Sequence, residues 1–519
     1  MFQVLTALAV AVMATAFLYL GWGMGSGWRQ LRRKGVRVGH QASLGYGHPH
    51  EPAPPAGWFV YFLVPALNEA EVIGRTVSCL IGSQKAHVVV IDDGSDDGTG
   101  ALASAAGRGE ITVIRRELPE ARQGKGAALN AGYAFVSTDV WRRGLDPESV
   151  IVCVMDADGR LSDGALSEVL GCFDDPVVGA VQLSVRIRNR DTFLTAYQDY
   201  LFWSMAAMSQ FGRMATGTVS LGGNGQFSRL TALRGLGPEP WSESLTEDLD
   251  LGIRLALDGW VSTSAPGAAV DQQAVATLDR LVRQRRRWYQ GHMAAGKHIP
   301  AIWRCGRLPH ARALELVAYL SVPWVLDLPW SILFHVCVIG VLAHLTLTFG
   351  LGNTWAVPFA IAGFYVAVFF PCICCGLFYW RRDRRVGLDR ALLFGHAIVA
   401  MNYVSFYCAW TALFRLVRGQ NSWVKTSRER EPGGGAHTGF VAPEPAVAVL
   451  AVSPTALHLH PADGATGAAL ARAVLLCQAR LRADGLEVEL PAGAPDAAAA
   501  VEAAARLHRS APPRLHPLH

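Results

Sequence analysis

The chain has 519 residues and a formal net charge of +5, and it is 51% hydrophobic but only 17% charged, against roughly 25% charged in soluble domains. A charge excess that small gives no basis for a nucleic-acid partner, and a mean hydropathy of +0.23, with the apolar excess concentrated in residues 313–417, points to a bilayer. The ten cysteines form no extracellular framework; Cys372, Cys374 and Cys375 sit inside an apolar segment, which suits packing and a reduced cytosolic face.

Phe2–Trp22 is almost uncharged and long enough to cross a hydrocarbon core. No basic region precedes it, and Arg29, Arg32, Arg33 and Lys34 follow it. The pattern predicts a retained anchor over 1–28, amino terminus outside, with its basic flank in the cytoplasm. Residues 29–57 read as a linker, rich in Pro, Gly and His over Gly45–Gly57.

Phe59–Pro65 is predicted as a strand, with Asn68-Glu69-Ala70-Glu71 opening the helix after it. His87–Ile91 is a second strand and ends in Asp92-Asp93-Gly94-Ser95. Ile111–Ile114 is a third, followed by Gln123-Gly124-Lys125-Gly126 and a helix over Ala127–Val136. The unbroken apolar run Val150–Met155, leading into Asp156-Ala157-Asp158, reads as a central strand covered on both faces. Strands alternating with helices predict a doubly wound, mostly parallel α/β sheet over 58–300. Each acidic cluster follows a strand, where such sheets bind ligands.

Further on, Thr192–Met208 is an aromatic-rich helix, and Leu221–Phe227 is a glycine-dense turn suited to close backbone approach. Ser244–Leu257 reads as a helix capped by Ser or Thr with Glu247 and Asp248 in its first turn, and Asp279–Trp288 as a basic helix ending Gln284-Arg285-Arg286-Arg287-Trp288. Residues 301–427 are predicted to hold interfacial and transmembrane helices. Leu314–Gly350, interrupted by Pro323 and Pro329, combines a helix lying at the interface with a spanning one; Trp355–Trp380 and Ala391–Val417 are further candidate spans. Arg381–Arg385 and Arg415, Arg418 and Lys425 all belong on the cytoplasmic side, yet one apparent span separates them. Either Ala391–Val417 is re-entrant or interfacial, or a boundary differs. Gly433-Gly434-Gly435 begins a linker, and the tail within 428–519 is either a small strand-helix-strand-helix unit (Ala446–Val452, Ala468–Arg482, Leu486–Leu490, Ala497–His508) or partly disordered.

The chemistry needed to lose an anionic leaving group from a diphosphate-bearing donor is available here. Acids at i and i+2 of an extended chain lie on one side, so Asp156 and Asp158 are expected to share one hard cation, a Lewis acid. The Arg287 guanidinium suits phosphate, Asp248 can take an acceptor's proton, and Trp288 offers a face for a sugar ring. Singly these signals are weak. Asp92-Asp93-Gly94 does not fit an EF-hand, Gly124-Lys125-Gly126 lacks the spacing of a phosphate-binding Walker loop, and Thr246-Glu247-Asp248 alone is an ordinary helix start.

Their order is more specific. Val64-Pro65-Ala66-Leu67-Asn68-Glu69, Asp92-Asp93-Gly94-Ser95, Gly124-Lys125-Gly126-Ala127-Ala128-Leu129-Asn130, Asp156-Ala157-Asp158, Thr246-Glu247-Asp248 and Gln284-Arg285-Arg286-Arg287-Trp288 occur in sequence. Over Gly57 to Arg428 the chain resembles the membrane-integrated glycosyltransferases of family 2, the group of cellulose, chitin, hyaluronan and poly-N-acetylglucosamine synthases. That resemblance implies a GT-A fold inserted between transmembrane helices. It implies Asp92, Asp93, Lys125 and Asp156 along the nucleotide of a UDP-sugar, and Mg2+ or Mn2+ on Asp158 beside Asp156. Asp248 would be the general base of an inverting reaction, with Glu247 beside it and Arg287 facing the pyrophosphate; Gln284, Trp288, Gly223 and Asn224 would line the acceptor site. Gly223-Asn224-Gly225 departs from the family's usual Gly-Thr-Asn-Gly.

The expectation is an enzyme of a bacterial-type plasma membrane, its catalytic domain cytoplasmic, that extends a β-linked polysaccharide, with possible partners for export. The alternatives are a single transfer to a lipid acceptor, or a catalytically silent scaffold or transporter subunit.

Overall fold

The computed structural model describes residues 2–33, 57–81, 86–350 and 356–420, and four short strands within 447–517. The chain divides into two compact units, Met1–Glu429 and Arg430–His519.

The first unit is built on an eight-stranded sheet. Its strands are β1 (Phe59–Ala66), β2 (Ala86–Asp92), β3 (Ile111–Arg115), β4 (Val150–Val154), β5 (Arg160–Leu161), β6 (Val178–Ile187), β7 (Gln226–Arg229) and β8 (Val261–Gln272), in the order β3-β2-β1-β4-β7-β6-β8-β5. The half from β3 to β4 is parallel, as the alternating pattern requires. Beyond β4 the sheet is mixed: β7 runs antiparallel to both β4 and β6, β8 is parallel to β6, and β5 is antiparallel to β8. "Mostly parallel" therefore describes one half only. The reversal comes from β7, four residues directly after the glycine-dense turn, too short a segment for a hydrophobic pattern to reveal.

Both faces of β1 and β4 are covered, so neither strand shows alternation in sequence. Val60, Phe62, Val64, Ile151 and Cys153 enter one core; Tyr61, Leu63, Val150, Val152 and Val154 enter the other. The helices α2 (Ile73–Leu80), α3 (Thr99–Ala106), α4 (Lys125–Arg142) and α5 (Ala165–Cys172) flank the sheet. The strand order reverses between β1 and β4, and a crevice lies at their carboxyl ends.

The helical segments that line that crevice are a π-helical stretch (Leu201–Ala206) joining α6 (Phe193–Tyr200) to α7 (Ala207–Arg213), then α7 itself, α9 (Glu247–Leu257) and α10 (Leu278–Ala295), while α8 (Leu230–Gly235) packs in the core with β4. After α11 (Ile299–Arg304), α12 (His310–Val322) ends at Pro323, and a π-helical segment leads into α13 (Leu328–Gly350), so the long apolar stretch is divided at its first proline. The last helices of this unit are α14 (Ala356–Arg382) and α15 (Leu388–Val417). At the other end, α1 runs from Phe2 to Arg33 without a break, so helix replaces the linker expected from residue 29. Its Leu31 packs with Ala207, Met208 and Phe211 of α7 and Phe378 of α14. Lys34 and the rest of the predicted linker to residue 56 lie outside the described residues.

Among the described residues two helices are long and apolar enough to cross a membrane, within His310–Gly340 and Leu388–Val417, by length and composition only. The helix α15 packs along its length. A stripe along the whole helix faces the catalytic unit. Ala391, Phe394, Ala397 and Met401 pack with Tyr197, Tyr200 and Trp203; Ala409, Ala412 and Leu416 pack with Met293 and Tyr289 of α10. Asp383, in the preceding turn, pairs with Arg186 (2.6 Å) and Arg190 (2.8 Å), and Arg415 donates to Gln290 (3.0 Å). Both ends of α15 thus lie against the unit that holds the sheet, while Leu388–Val417 is also one of the two helices long and apolar enough to cross a membrane. Leu393, Tyr403, Tyr407, Phe414 and Val417 remain exposed.

In the second unit, β9 (Val447–Val452), β10 (Ala456–Pro461), β11 (Glu487–Leu490) and β12 (Leu515–Pro517) form a sheet ordered β12-β11-β10-β9, with only the β9–β10 pair antiparallel. Strands occur at two predicted places; the helices predicted over 468–482 and 497–508 lie outside the described residues.

Candidate active site

The crevice is a cleft of about 490 Å³. Pro65, Ala66 and Leu67 at the end of β1, Asp93 after β2, Asp156 after β4, the turn Leu221–Asn224, the start of α9 and one face of α10 all reach its wall.

Lys125, the first residue of α4, points into the cleft floor. Its Nζ lies 2.5 Å from Asp156 Oδ1 and 2.7 Å from the Gly223 carbonyl, with Glu247 Oε1 at 3.9 Å. The flanking Gly126 is needed because a Cβ there would sit 2.3 Å from the Ser242 carbonyl oxygen, so only glycine lets α4 start this close to the loop before α9. Burial alone would lower the Lys125 pKa, but Asp156, Glu247 and Asp248 outweigh it and hold the ammonium charged.

Glu247 and Asp248 open α9, and both face the cleft. Burial, and then the neighbouring Asp248 carboxylate, push Glu247 up to about 7. Burial also raises Asp248, against the pull of Lys125 and Arg287, while the Leu249 N–H donates to its Oδ1 (2.7 Å). The third acid of this turn points elsewhere. Asp250 accepts from His298 (2.8 Å) and Arg254 (2.9 Å); although burial works against it, these bonds hold its carboxyl well below the usual range. Thr246 makes no side-chain capping bond. Its side chain instead presses on Gly291 of α10, where a Cβ would lie 2.5 Å away. Gly291 is one turn beyond Arg287, and that close approach brings the Gln284, Arg287 and Trp288 face of α10 onto the cleft. Arg287 Nη1 donates to the Leu245 carbonyl (3.5 Å), and Trp288 meets Phe202 edge-on with Arg285 over its ring.

The two acid pairs at the strand ends are each split. Asp93 lines the cleft, paired with Arg116, and burial raises its carboxyl. Asp92 does not line it: its carboxylate accepts from the Ser95 N–H (2.9 Å) and from Arg115 (2.6 Å) and braces the loop into α3. Asp156 is on the wall. Asp158 is fully buried, is not on the wall, and its Oδ2 accepts from the Gln273 N–H (2.8 Å) at the end of β8. The two acids of Asp156-Ala157-Asp158 are not held as in an extended strand, because β4 stops at Val154. The next residues form a turn, closed by Gly159 N–H to the Asp156 carbonyl (2.7 Å), so the side-chain period of an extended strand no longer applies.

Asn224 lines the cleft and also organises it. Its Oδ1 accepts from the Asp156 N–H (3.1 Å), its Nδ2 donates to Gln272 (3.0 Å), and its carbonyl accepts from Gln182 (2.8 Å). Gln182 Oε1 in turn accepts from the Gly222 N–H (2.7 Å). The sequence reading missed Gln182, although a glutamine inside the apolar run Val178–Ile187 was a signal: a buried amide has to find partners.

Asp156 offers a hard cation one carboxylate at the cleft surface, and such ions commonly take one or two protein carboxylates with substrate phosphates filling the other positions. The donor set therefore fits a cation shared with a bound diphosphate. Among the described residues no group of three or more His, Cys, Asp or Glu would hold an ion by itself.

Residues 54–291 match the family described as glycosyltransferase like family 2. Among curated proteins, the beta-monoglucosyldiacylglycerol synthase of Trichormus variabilis is 35% identical over 246 residues, covering 45% of this chain and 48% of that protein. A poly-beta-1,6-N-acetyl-D-glucosamine synthase of Staphylococcus aureus is 29% identical over 272 residues, covering 51% and 62%. The chain thus spans about half the length of the first of these relatives. Among solved structures, a mannosyltransferase from Pyrobaculum calidifontis in complex with GDP-Man and Mn2+ aligns with a TM-score of 0.42 at 19% identity, over 80% of this chain and 99% of that one. Over residues 54–291 the chain is thus similar to the family 2 glycosyltransferases, and the sheet that carries the cleft is of α/β type.

Proposed function

We propose that this protein transfers a sugar from a UDP-sugar, with inversion at the anomeric carbon, to a hydroxyl acceptor held at the cytosolic face of a membrane. The observation that carries the reading is the convergence of Asp93, Lys125, Asp156, Glu247, Asp248, Arg287 and Trp288, drawn from five separate segments, on one cleft. The nucleotide lies across the carboxyl ends of β1, β2 and β4, its base and ribose beside Asp93. Asp156 holds a divalent cation together with the diphosphate, and this ion supplies Lewis-acid compensation for the leaving group. Asp158 acts from below, pinning the turn to β8. Arg287 adds a guanidinium to the phosphate side, and Asp248 accepts the acceptor hydroxyl's proton as it attacks. The exposed apolar face of α15 and the apolar helices α13 and α14 support a position at the bilayer.

For the acceptor we favour a lipid hydroxyl. Phe202, Ala206, Trp288 and Tyr319 line the cleft beside the polar Gln210 and Arg213, a mixed surface that suits an amphiphile, and the beta-monoglucosyldiacylglycerol synthase relative supports the same class. A growing β-glycan, the expectation from sequence, is the second reading, supported by the poly-N-acetylglucosamine synthase relative. Membranes containing the protein are incubated with a panel of radiolabelled UDP-sugars, with and without excess EDTA, and the products are partitioned between organic and aqueous phases. EDTA-sensitive label in a glycolipid supports the first reading, and a glycosidase-sensitive polymer the second. Incorporation from no UDP-sugar overturns both.

A further inference from the structure

We propose that Lys125 is a resident stand-in for the divalent cation: its ammonium neutralises the acidic floor of the empty cleft until a nucleotide diphosphate draws it away, so that cation and nucleotide enter together. The inference rests on the donor-site reading above. Three oxygens surround Nζ, from Asp156 (2.5 Å), Gly223 (2.7 Å) and Glu247 (3.9 Å), as oxygens surround a hard cation. The position is an unusual one for a lysine. It is the first residue of an 18-residue helix, where the helix dipole favours anions and opposes cations. What holds the ammonium there is the ring of carboxylates, Asp156, Glu247 and Asp248.

A second cation cannot join Asp156 while the ammonium occupies it, because like charges at such separations repel. The described residues also offer no cage that would hold an ion without help. A diphosphate changes both conditions. It brings oxygens to complete the ion's shell, and it brings negative charge to the amino terminus of α4, a natural anion site. The flexible lysine stem can then follow the phosphate, leaving Asp156 to the metal. Cation and nucleotide binding are therefore positively coupled, and each strengthens the other by the same factor.

The test is Mn2+ binding to the full-length protein in detergent, by electron paramagnetic resonance and calorimetry, with and without saturating UDP. In the wild type, UDP is expected to tighten Mn2+ binding about tenfold or more, within the ordinary range of coupling between sites. Lys125→Met is expected to bind Mn2+ without UDP about tenfold more tightly than the wild type does without UDP, and the coupling should shrink to the part that the diphosphate oxygens supply. Lys125→Arg, which keeps a cation, should behave as the wild type. Gly223→Ala is an independent variant, since its Cβ would lie 2.6 Å from Nζ and push the flexible ammonium out; it should also bind Mn2+ without nucleotide. The proposal is overturned if the wild type binds Mn2+ equally well with and without UDP, or if the folded Lys125→Met or Gly223→Ala protein binds UDP while its nucleotide-free Mn2+ affinity is unchanged. If Lys125→Met does not fold, the wild-type coupling and Gly223→Ala still decide. A wild type that binds neither UDP nor Mn2+ would instead remove the donor-site reading itself.

Discussion

The acid pairs at the strand ends and the acid pair at the start of α9 are used in opposite ways. After β2 and β4 one carboxylate of each pair, Asp93 or Asp156, reaches the cleft, while the other, Asp92 or Asp158, turns inward to backbone N–H groups. At α9 both Glu247 and Asp248 face the cleft, and it is Asp250 that turns away to His298 and Arg254. A strand end is a place where the chain must turn, and an inward carboxylate stabilises that turn. A helix start has free N–H groups of its own and is positioned by packing, here Thr246 against Gly291, so its acids are available for chemistry.

The largest effect is expected at the helix start. Asp248→Asn should lower turnover by about 10²–10⁴-fold, the usual contribution of a placed general base, and leave UDP affinity intact; normal turnover in membranes carrying the variant would remove the base from α9. Next comes the contrast within the strand-end acids. Asp156→Asn should weaken donor binding strongly with little change in melting temperature. Asp92→Asn should do the reverse, costing about 1–3 kcal/mol for the buried groups left unpaired. Weaker donor binding at unchanged stability in Asp92→Asn would erase the distinction. Gly291→Ala, by overpacking the α9–α10 contact, should cost about 1–3 kcal/mol and lower kcat while sparing the donor KM, which steady-state kinetics would separate. The smallest effects are those of pH. Because burial raises Asp248 and the base must be ionised, activity should fall on acidification at a pH above the ordinary carboxylate range. Glu247, raised from 4.5 to about 7, holds a proton in the folded protein that the unfolded chain has released. It therefore contributes stability at low pH that is lost as pH rises from 4.5 through 7. The melting temperature of the wild type should decline across that window relative to Glu247→Gln, and parallel profiles would refute the assignment.

Much of this was legible because it depends on local pattern. The apolar runs of β1, β2 and β4 name the buried parallel strands, and the acids after them fall where such strands deliver ligands. Pro323 marks the division of the long apolar stretch between α12 and α13. Other features depend on partners distant in sequence. Whether Asp158 faces the cleft is settled by the Gln273 N–H, 115 residues away. Which stripe of Ala391–Val417 is covered depends on Tyr197, Tyr200, Tyr289 and Met293, partners that its hydropathy does not reveal.

The sequence by itself determined the class of fold, the order of the chemical groups and their resemblance to a family, because these follow from periodicity and from residue types at short spacings. Tertiary structure decided which acids are exposed to substrate, that Lys125 sits among three of them, and how α10 is brought against α9. Those outcomes depend on contacts between segments far apart in the chain, where a single glycine or a single amide changes which way a carboxylate points.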